Sequence, residues 1–392
     1  LTAHSSFTNK VFTMDEYPQG MFTYESLLQR QFNIVAALRA EIEGLMRLGD
    51  VKASDRGDSI VFVGRLLTTD EDAYHIVRDR FRRLGYTAFL RRENGEDVIV
   101  AQRGVSMLTR SNPLINLTLL LATIATTTFA GAGFAQVNIA RALQLAITAG
   151  RWGGLLEALA AGAPFAITLL LILGVHEMGH YIAARIHGVS VTLPYFIPFP
   201  FGLGTFGAFI QLKSPVENRK ALFDVGLAGP VAGFVVAVPL LIVGLLASGV
   251  VPSVSEAGRL GTSVLVRWLL DFVHPHGPGY AVALHPIAIA AWFGMLVTGF
   301  NLLPMGQLDG GHVAYAVLGK FARPLAYLAF GALILMGFTV WSGWWTWAFL
   351  AMLTGLRHAQ PLNDITPLDP VRKFIGALTL LWFLLIITPK PV

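Results

Sequence analysis

The hydrophobic positions before residue 110 follow the short periods of a small folded domain. Apolar residues recur about every 3.6 positions from Tyr24 to about Leu48, which predicts an amphipathic helix. Ser59–Leu66 has the composition of a strand, and Asp70–Arg83 is predicted to be a helix with a capping threonine or aspartate before it. Tyr86–Arg91 and Glu96–Ala101 flank an Asn-Gly pair, which predicts a hairpin. Together these elements indicate a small α+β domain.

Beyond Pro113 the pattern changes to long apolar segments that carry almost no charge. A helix needs about 20 mostly apolar residues to cross a bilayer. Segments of this kind lie near residues 114–135, 162–186, 221–248, 281–303, 322–341, 343–356 and 372–388. Val137–Ala160 and Gly261–Val273 are weakly amphipathic and are expected to lie at the membrane surface. The pattern therefore predicts a polytopic α-helical membrane protein of about six to seven spans.

The composition agrees with a chain that lies largely in lipid. Hydrophobic residues make up 54% of it and charged residues only 14%, whereas a typical soluble domain has about 25% charged residues. The net charge of +5 fits positive flanks of membrane spans and gives no sign of a nucleic-acid-binding face. The chain contains no cysteine, so a tightly bound metal must use histidine and carboxylate ligands.

The uneven distribution of charge predicts three parts. Residues 1–110 are expected to form the soluble α+β domain, with residues 1–20 irregular. Residues 111–320 are expected to form a membrane-embedded core, and residues 321–392 the C-terminal transmembrane helices. Lysine and arginine flank the spans mainly on one side, which includes Arg185, Lys220 and Lys320 and which the positive-inside rule assigns to the cytoplasm. The N-terminal domain lies on the same side and is therefore expected to be cytoplasmic.

The strongest chemical signal lies at the end of the second apolar segment, where an H-E-x-x-H motif runs from His176 through Glu177 to His180. Positions i and i+4 of a helix share a face about 6 Å apart, so both histidines can ligate one metal ion. Glu177 lies beside them, where it can take a proton from a metal-activated water. Titratable groups at membrane depth are costly and usually functional. This arrangement is typical of a zinc metalloprotease.

A catalytic zinc ion takes three protein ligands and leaves one position for water, so a further ligand is needed. The segment from Asn301 to His312 follows the fourth apolar segment and contains Pro304 and Gly306, which interrupt a helix. Interrupted backbone at membrane depth is tolerated where it lines a site. Asp309 is the obvious carboxylate in this segment. Two neutral imidazoles and one carboxylate predict one Zn²⁺ per chain.

The two motifs together resemble the site-2 protease family of intramembrane zinc metalloproteases. H-E-x-x-H in one span and N-x-x-P-x-x-x-L-D-G in a later one carry the resemblance, within a core of roughly residues 160–320. The resemblance implies that His176, His180 and Asp309 bind zinc. It also implies that Glu177 is the general base and that Asn301 helps to stabilise the tetrahedral oxyanion.

His312 lies three residues beyond Asp309, on the same helical face. Metal ligands are usually oriented by outer hydrogen-bond partners. His312 is therefore a candidate for such an outer partner of the metal site. A plain histidine at the membrane interface is the alternative.

The segment between the second and third spans is apolar but rich in proline and glycine. Leu193–Phe201 and Gly202–Leu212 are predicted to form a re-entrant β-hairpin at the membrane edge, with Phe206–Leu212 as a strand. Cleavage of a helical substrate requires an extended segment, which an edge strand can hold through its backbone. The candidate substrate-binding residues are Phe206, Gly207, Ala208, Phe209 and Ile210. A purely structural plug is the alternative.

The sequence therefore predicts an intramembrane zinc metalloprotease that hydrolyses peptide bonds within or next to the membrane span of single-pass membrane proteins, as in regulated intramembrane proteolysis. Its partners would be those substrates and the lipid bilayer, with no nucleic acid. A multi-pass position in a bacterial inner membrane is expected, with a plastid membrane as the alternative, and the active site is expected near the cytoplasmic side. Two other functions fit part of the pattern. A metal-binding membrane transporter has no need for Glu177, and a catalytically silent scaffold would normally have lost a ligand or the base.

Overall fold

The computed structural model describes residues 24–54, 58–104, 112–252, 260–275, 280–356 and 358–391. The chain divides into two compact units, Leu1–Val105 and Ser106–Val392. The segment that was predicted to be irregular, residues 1–20, lies outside the described residues.

The first unit contains two copies of one arrangement, a helix followed by two antiparallel strands. The first copy is α1 (Tyr24–Ile42), β1 (Met46–Ala53) and β2 (Ser59–Leu66), and the second is α2 (Asp70–Arg83), β3 (Tyr86–Glu93) and β4 (Glu96–Arg103). The strands form one antiparallel sheet in the order β1-β2-β4-β3, so the two copies meet where β2 pairs with β4. Phe62 and Ile99 are paired across this junction, and both are fully buried.

The first helix is shorter than the hydrophobic spacing predicted. It ends at Ile42 rather than near Leu48, and the residues from Met46 onward form β1 instead. Gly44 has a φ of 79°, a left-handed conformation that commonly ends a helix. The second helix agrees with the prediction at both ends, because a capping residue marks its start: the Thr69 hydroxyl accepts a hydrogen bond from the Asp72 amide.

The second unit consists mainly of helices. They are α3 (Pro113–Phe134), α4 (Ile139–Ala149), α5 (Trp152–Ile186), α6 (Arg219–Leu246), α7 (Val264–Val273), α8 (Pro286–Asn301), α9 (Asp309–Leu318), α10 (Ala322–Thr339), α11 (Trp344–Thr354) and α12 (Pro370–Ile386). Two short antiparallel pairs of strands accompany them, β5 (Tyr195–Pro198) with β6 (Thr205–Phe209) and β7 (Gly249–Pro252) with β8 (Tyr280–Ala283). α5 begins earlier than predicted and takes up part of the segment that was expected to lie at the membrane surface.

Four helical segments in the described part of the chain are long and apolar enough to cross a membrane. They are α3, α5, α6 and the run of α9 and α10 from Asp309 to Thr339. α8, α11 and α12 are also apolar but have 16, 11 and 17 residues. Large apolar side chains such as Leu171, Val235 and Leu328 are exposed along these helices, as expected where lipid is the solvent. The second unit is therefore a membrane-embedded helical body, and the number of about six to seven spans stays a prediction.

Close packing of α5 against α6 sets the position of the H-E-x-x-H turn. A Cβ on Gly179 would lie only 2.5 Å from the carbonyl oxygen of Ala228, so the two helices approach closely at this level. α8 packs against another part of α5, where a Cβ on Gly294 would lie 2.8 Å from Ile172. The motif turn is therefore enclosed by neighbouring helices.

Candidate metal centre

His176, Glu177 and His180 lie on α5, deep within the second unit. Their exposed fractions are only 4%, 6% and 6%. The i, i+4 spacing places both imidazole rings on one face, with 4.9 Å between the ring centroids. Three buried titratable groups within two turns of an apolar helix need polar or ionic partners to be stable.

The chain between α8 and α9 turns sharply and brings Asp309 back to this part of α5. Asp309 is the first residue of α9. Gly306 has a φ of 55°, and a Cβ on it would lie 2.2 Å from the carbonyl oxygen of Gly355. A Cβ on Gly310 would lie 2.0 Å from the carbonyl oxygen of Leu302. Both positions require glycine, so the glycines of the second motif allow the tight turn that carries the aspartate to the histidines.

The three predicted metal ligands come together in the structure. His180 Nε2 lies 3.1 Å from His176 Nε2. Asp309 Oδ2 lies 3.3 Å from His176 Nε2, and Asp309 Oδ1 lies 3.3 Å from His180 Nε2. The ligand atoms of these side chains all lie within 4.8 Å of one another. They form a compact set of two nitrogens and one carboxylate.

The spacing and chemistry of this set fit a zinc ion. Zinc bonds of about 2.0–2.1 Å in a tetrahedron place neighbouring ligand atoms roughly 3.3–3.4 Å apart, close to the distances found here. His180 Nδ1 lies 2.6 Å from the carbonyl oxygen of Val225. A carbonyl only accepts, so Nδ1 carries the proton and Nε2 presents its lone pair to the site. Asp309 Oδ2 is buried without a hydrogen-bond donor among the described residues. Lone pairs that converge in a buried space are stabilised by a cation.

Two glycines of α6 make room for the two histidines, and the sequence analysis did not predict this. A Cβ on Gly229 would lie 2.0 Å from His180 Nε2. A Cβ on Gly233 would lie 3.1 Å from the Cβ and Nδ1 atoms of His176. The glycines therefore have the same i, i+4 spacing as the histidines that they face. The available sequence signal was a G-x-x-x-G pattern in an apolar span, which is typical of close helix packing.

A cavity of about 230 Å³ opens in front of the ligands, and Glu177 lines it together with them. The backbone amide of Ile210 faces the Glu177 carboxylate. Ile210 directly follows β6, which ends at Phe209 rather than at Leu212 as predicted. Neighbouring residues of an extended chain direct their amides to opposite sides. The amide of Ala208 therefore faces the same side as that of Ile210, and the amide of Phe209 faces β5.

The five candidate substrate-binding residues divide into two groups. Ala208, Phe209 and Ile210 line the cavity. Phe206 is 69% exposed and its ring packs on Phe199 with 4.0 Å between centroids. Gly207 has a φ of 106°, and its amide donates to the hydroxyl of Thr205. Only the end of the predicted segment therefore reaches the metal site.

Asn301 and His312 both line the same cavity. Asn301 Nδ2 lies 3.5 Å from His176 Nε2, at the edge of the ligand set. His312 is not a member of that set. Its Nδ1 atom is hydrogen-bonded to Nε2 of His358, a residue for which the sequence showed no convincing pattern. The structure thus brings a further polar side chain, from beyond α11, into contact with His312 at the border of the site.

An ion network fixes α6 next to Val225, whose carbonyl oxygen is hydrogen-bonded to His180. Asp224 precedes Val225, and its Oδ1 and Oδ2 atoms lie 2.7 and 2.8 Å from Nε and Nη2 of Arg372 on α12. His187, the residue that follows α5, lies 2.8 Å from the same carboxylate. The network joins the ends of three helices and steadies the backbone carbonyl that orients His180.

Comparisons with known proteins agree with this geometry. Residues 164–340 match the family described as Peptidase family M50. The chain is 34% identical over 241 residues to "Probable zinc metalloprotease EGY1, chloroplastic" of Arabidopsis thaliana, over 58% of this chain and 43% of the relative. It is 34% identical over 249 residues to the Oryza sativa subsp. japonica protein of the same name, over 60% and 42%. It is 32% identical over 246 residues to "Probable zinc metalloprotease EGY2, chloroplastic" of Arabidopsis thaliana, over 60% and 43%. The chain thus spans less than half the length of these curated relatives, and no solved structure gives a significant match.

An H-E-x-x-H motif in a long apolar helix, joined by an aspartate from a second motif, is the arrangement typical of a zinc metalloprotease domain of the membrane. Residues 164–340 match peptidase family M50, and the predicted resemblance to the site-2 protease family is confirmed. The prediction of zinc is confirmed as well, by zinc metalloprotease relatives and by the ligand set.

Proposed function

We propose that the chain is an intramembrane protease that cleaves peptide bonds within or next to the membrane span of single-pass membrane proteins. The observation that carries this proposal is the convergence of His176, His180 and Asp309 at 3.1–3.3 Å in a cavity that also contains Glu177. A transport site or a scaffold has no need for a carboxylate at that position. Hydrolysis at a bound metal requires one.

Each polar residue of the cavity has a role in this reaction. His176, His180 and Asp309 hold the metal. Zinc, when bound, supplies Lewis acidity that lowers the pKa of a water molecule toward about 7. Glu177 takes the proton of the attacking water and passes it to the leaving amine. Asn301 donates a hydrogen bond to the oxyanion of the tetrahedral intermediate.

The substrate binds in an extended form along the free side of β6. A helical substrate hides its carbonyl groups in internal hydrogen bonds, so a segment must unwind before it can be cut. The amide of Ala208 faces the same side as the Ile210 amide that reaches Glu177, which makes it the available backbone donor at the cavity. Pairing with this edge holds the scissile carbonyl beside the catalytic carboxylate.

The membrane setting follows the distribution of lysine and arginine. Residues 1–110 lie in the cytoplasm as a soluble domain, residues 111–320 form the protease core, and residues 321–392 add C-terminal membrane helices. The chain crosses the membrane about six to seven times, and the β5–β6 hairpin is re-entrant. The zinc site then lies toward the cytoplasmic face of a bacterial inner membrane or the corresponding face of a plastid membrane. The chloroplastic relatives support the second setting.

The test is cleavage by the purified chain in proteoliposomes that contain a single-pass protein with glycine in its span. The parent should produce fragments, a chelator should stop it, and added zinc should restore it. Glu177→Gln should abolish cleavage but retain about one zinc per chain, because Glu177 is not a ligand. Substantial cleavage by Glu177→Gln would exclude Glu177 as the base. A zinc-loaded parent that moves zinc across the bilayer and leaves every substrate intact would instead establish transport.

A further inference from the structure

His358 contacts His312 beside the metal site and comes from a part of the chain outside the matched family region, which ends at residue 340. It lies between α11 and α12, and its Nε2 atom shares a hydrogen bond with Nδ1 of His312. The two rings are nearly perpendicular, with an interplanar angle of 84°. His312 in turn lines the cavity that contains Glu177 and Asp309. The pair therefore connects the C-terminal segment with the reacting groups.

The position of His358 is fixed by stacking and by the segment that follows it. Its ring stacks on Tyr315, with 4.8 Å between centroids and an interplanar angle of 18°. The Tyr315 hydroxyl donates to Asp364, and Asp364 also pairs with Arg219 at 2.9 Å. The amide of Asn363 donates to a backbone carbonyl just before α6 at 2.7 Å. Residues 358–364 are thus attached to α6 and α9 at several points, which leaves His358 little freedom to turn.

The ring of His312 is held equally closely. A Cβ on Gly226 would lie 2.7 Å from His312 Cβ, so α6 packs directly against this side chain.

Burial lowers the pKa of His358 to about 3, so His358 is neutral at neutral pH. A neutral imidazole has one donor and one acceptor nitrogen. The hydrogen bond at Nδ1 of His312 therefore decides whether Nε2 of His312 carries a proton.

We propose that His358 donates from Nε2 to Nδ1 of His312 and so fixes the tautomer in which His312 directs Nε2–H into the cavity. His312 is then a catalytic residue that donates this hydrogen to the substrate carbonyl oxygen as negative charge develops on it, and His358 is its positioning residue. The inference rests on the proposed protease function. The opposite tautomer would present a lone pair at Nε2 of His312, which would repel the oxyanion instead of stabilising it. Loss of one oxyanion donor typically lowers kcat about 100-fold to 1,000-fold.

The kinetic test compares His312→Phe, His358→Phe and the double variant. Phenylalanine keeps a ring against Tyr315 and removes the hydrogen bond. His312→Phe should lower kcat about 100-fold and His358→Phe about tenfold, with KM and zinc content close to those of the parent. The double variant should be no slower than His312→Phe alone, because the two residues act as one unit. Additive losses, or loss of zinc, would overturn the assignment.

His274→Phe is the matched control. His274 Nε2 shares a hydrogen bond with the carbonyl oxygen of Leu245, which lies roughly 30 Å along α6 from Val225 at 1.5 Å per residue. The His274→Phe variant therefore loses a comparable hydrogen bond far from the cavity. Equal loss of kcat in His274→Phe and His358→Phe would show that the effect is general destabilisation and would overturn the proposal.

A second measurement does not depend on cleavage. In protein labelled with ¹⁵N-histidine, nitrogen chemical shifts should show His312 with Nδ1 unprotonated and Nε2 protonated, and His358→Phe should convert it to a mixture of tautomers. A protonated Nδ1 in the parent would refute the inference even if the chain is a protease. The expected tautomer in a parent that cleaves no substrate would leave the hydrogen-bond assignment standing and refute the protease function.

Discussion

Gly229→Ala is expected to remove zinc from the site although it changes none of the ligands. The added Cβ would lie 2.0 Å from His180 Nε2, whereas ordinary contact begins at 3.4 Å. The ring must therefore retreat by about 1.4 Å, and a metal–ligand distance tolerates a deviation of only about 0.2 Å. Loss of an outer partner of a ligand lowers metal affinity about 10-fold to 100-fold. Loss of the ligand itself should reach at least the upper end of that range.

Two further alanine variants provide zinc affinities with which that of Gly229→Ala can be compared. At Gly233 the nearest atoms of His176 lie at 3.1 Å, so a shift of a few tenths of an ångström suffices and the affinity should fall less than about tenfold. At Gly331, on α10, the Cβ would have no neighbour within 4 Å, so this variant is the control for a glycine-to-alanine change in a membrane helix.

The assay is zinc affinity, measured by competition with a chromophoric chelator in detergent. Overpacking costs about 1–3 kcal/mol of stability, so melting curves must show that every variant is folded at the assay temperature. Zinc affinity is expected to be highest for Gly331→Ala, lower for Gly233→Ala and lowest for Gly229→Ala. If Gly229→Ala binds zinc as tightly as Gly331→Ala, then the approach of α6 does not position His180 and the argument fails.

Three further predictions concern the ligand set, the substrate edge and the topology. Asp309→Ala should lose most of its zinc, measured by atomic absorption after dialysis, because two imidazoles alone do not complete the set; full retention would exclude Asp309 as a ligand. Ala208→Pro removes the amide that faces the cavity and should lower cleavage about 10-fold to 100-fold at unchanged zinc content, whereas Ala208→Ser keeps the amide and should match the parent; equal activity of both would exclude strand pairing. Reporter fusions after Lys220 and Lys320 should report the cytoplasm and one near Pro275 the opposite side, and a reversed pattern would overturn the proposed orientation.

Local sequence patterns were sufficient to predict those features that depend on residues close to one another along the chain. α2 was predicted at both ends because Thr69 marks its start and its apolar spacing is regular. The pairing of His176 with His180 follows from helix geometry alone. α1 was wrong at its end, because buried apolar residues such as Leu45 and Met46 continue the helical spacing past the turn at Gly44.

Contacts between distant segments could not be predicted from one sequence. That Asp309 completes the ligand set was inferred from the motif. Its position beside α5, however, depends on close backbone contacts at Gly306 and Gly310, which the spacing of hydrophobic residues does not reveal. His358 showed no convincing pattern, since its contacts with His312 and Tyr315 arise only from the docking of a C-terminal segment on α9. Gly229 was recognisable as a packing glycine, but its partner was not.

The ligands of the metal site are widely separated along the chain, and this has a consequence for biosynthesis. The histidine pair lies on α5, Asp309 follows only after α8, and His358 and Arg372 come later still. A ribosome makes the chain from its N-terminus, so a growing polypeptide carries two ligands and the general base long before it acquires the third ligand. Under the proposed function, the chain is therefore expected to be inert while it is being inserted into the membrane. The order of the motifs would then protect other membrane proteins until the metal site is complete.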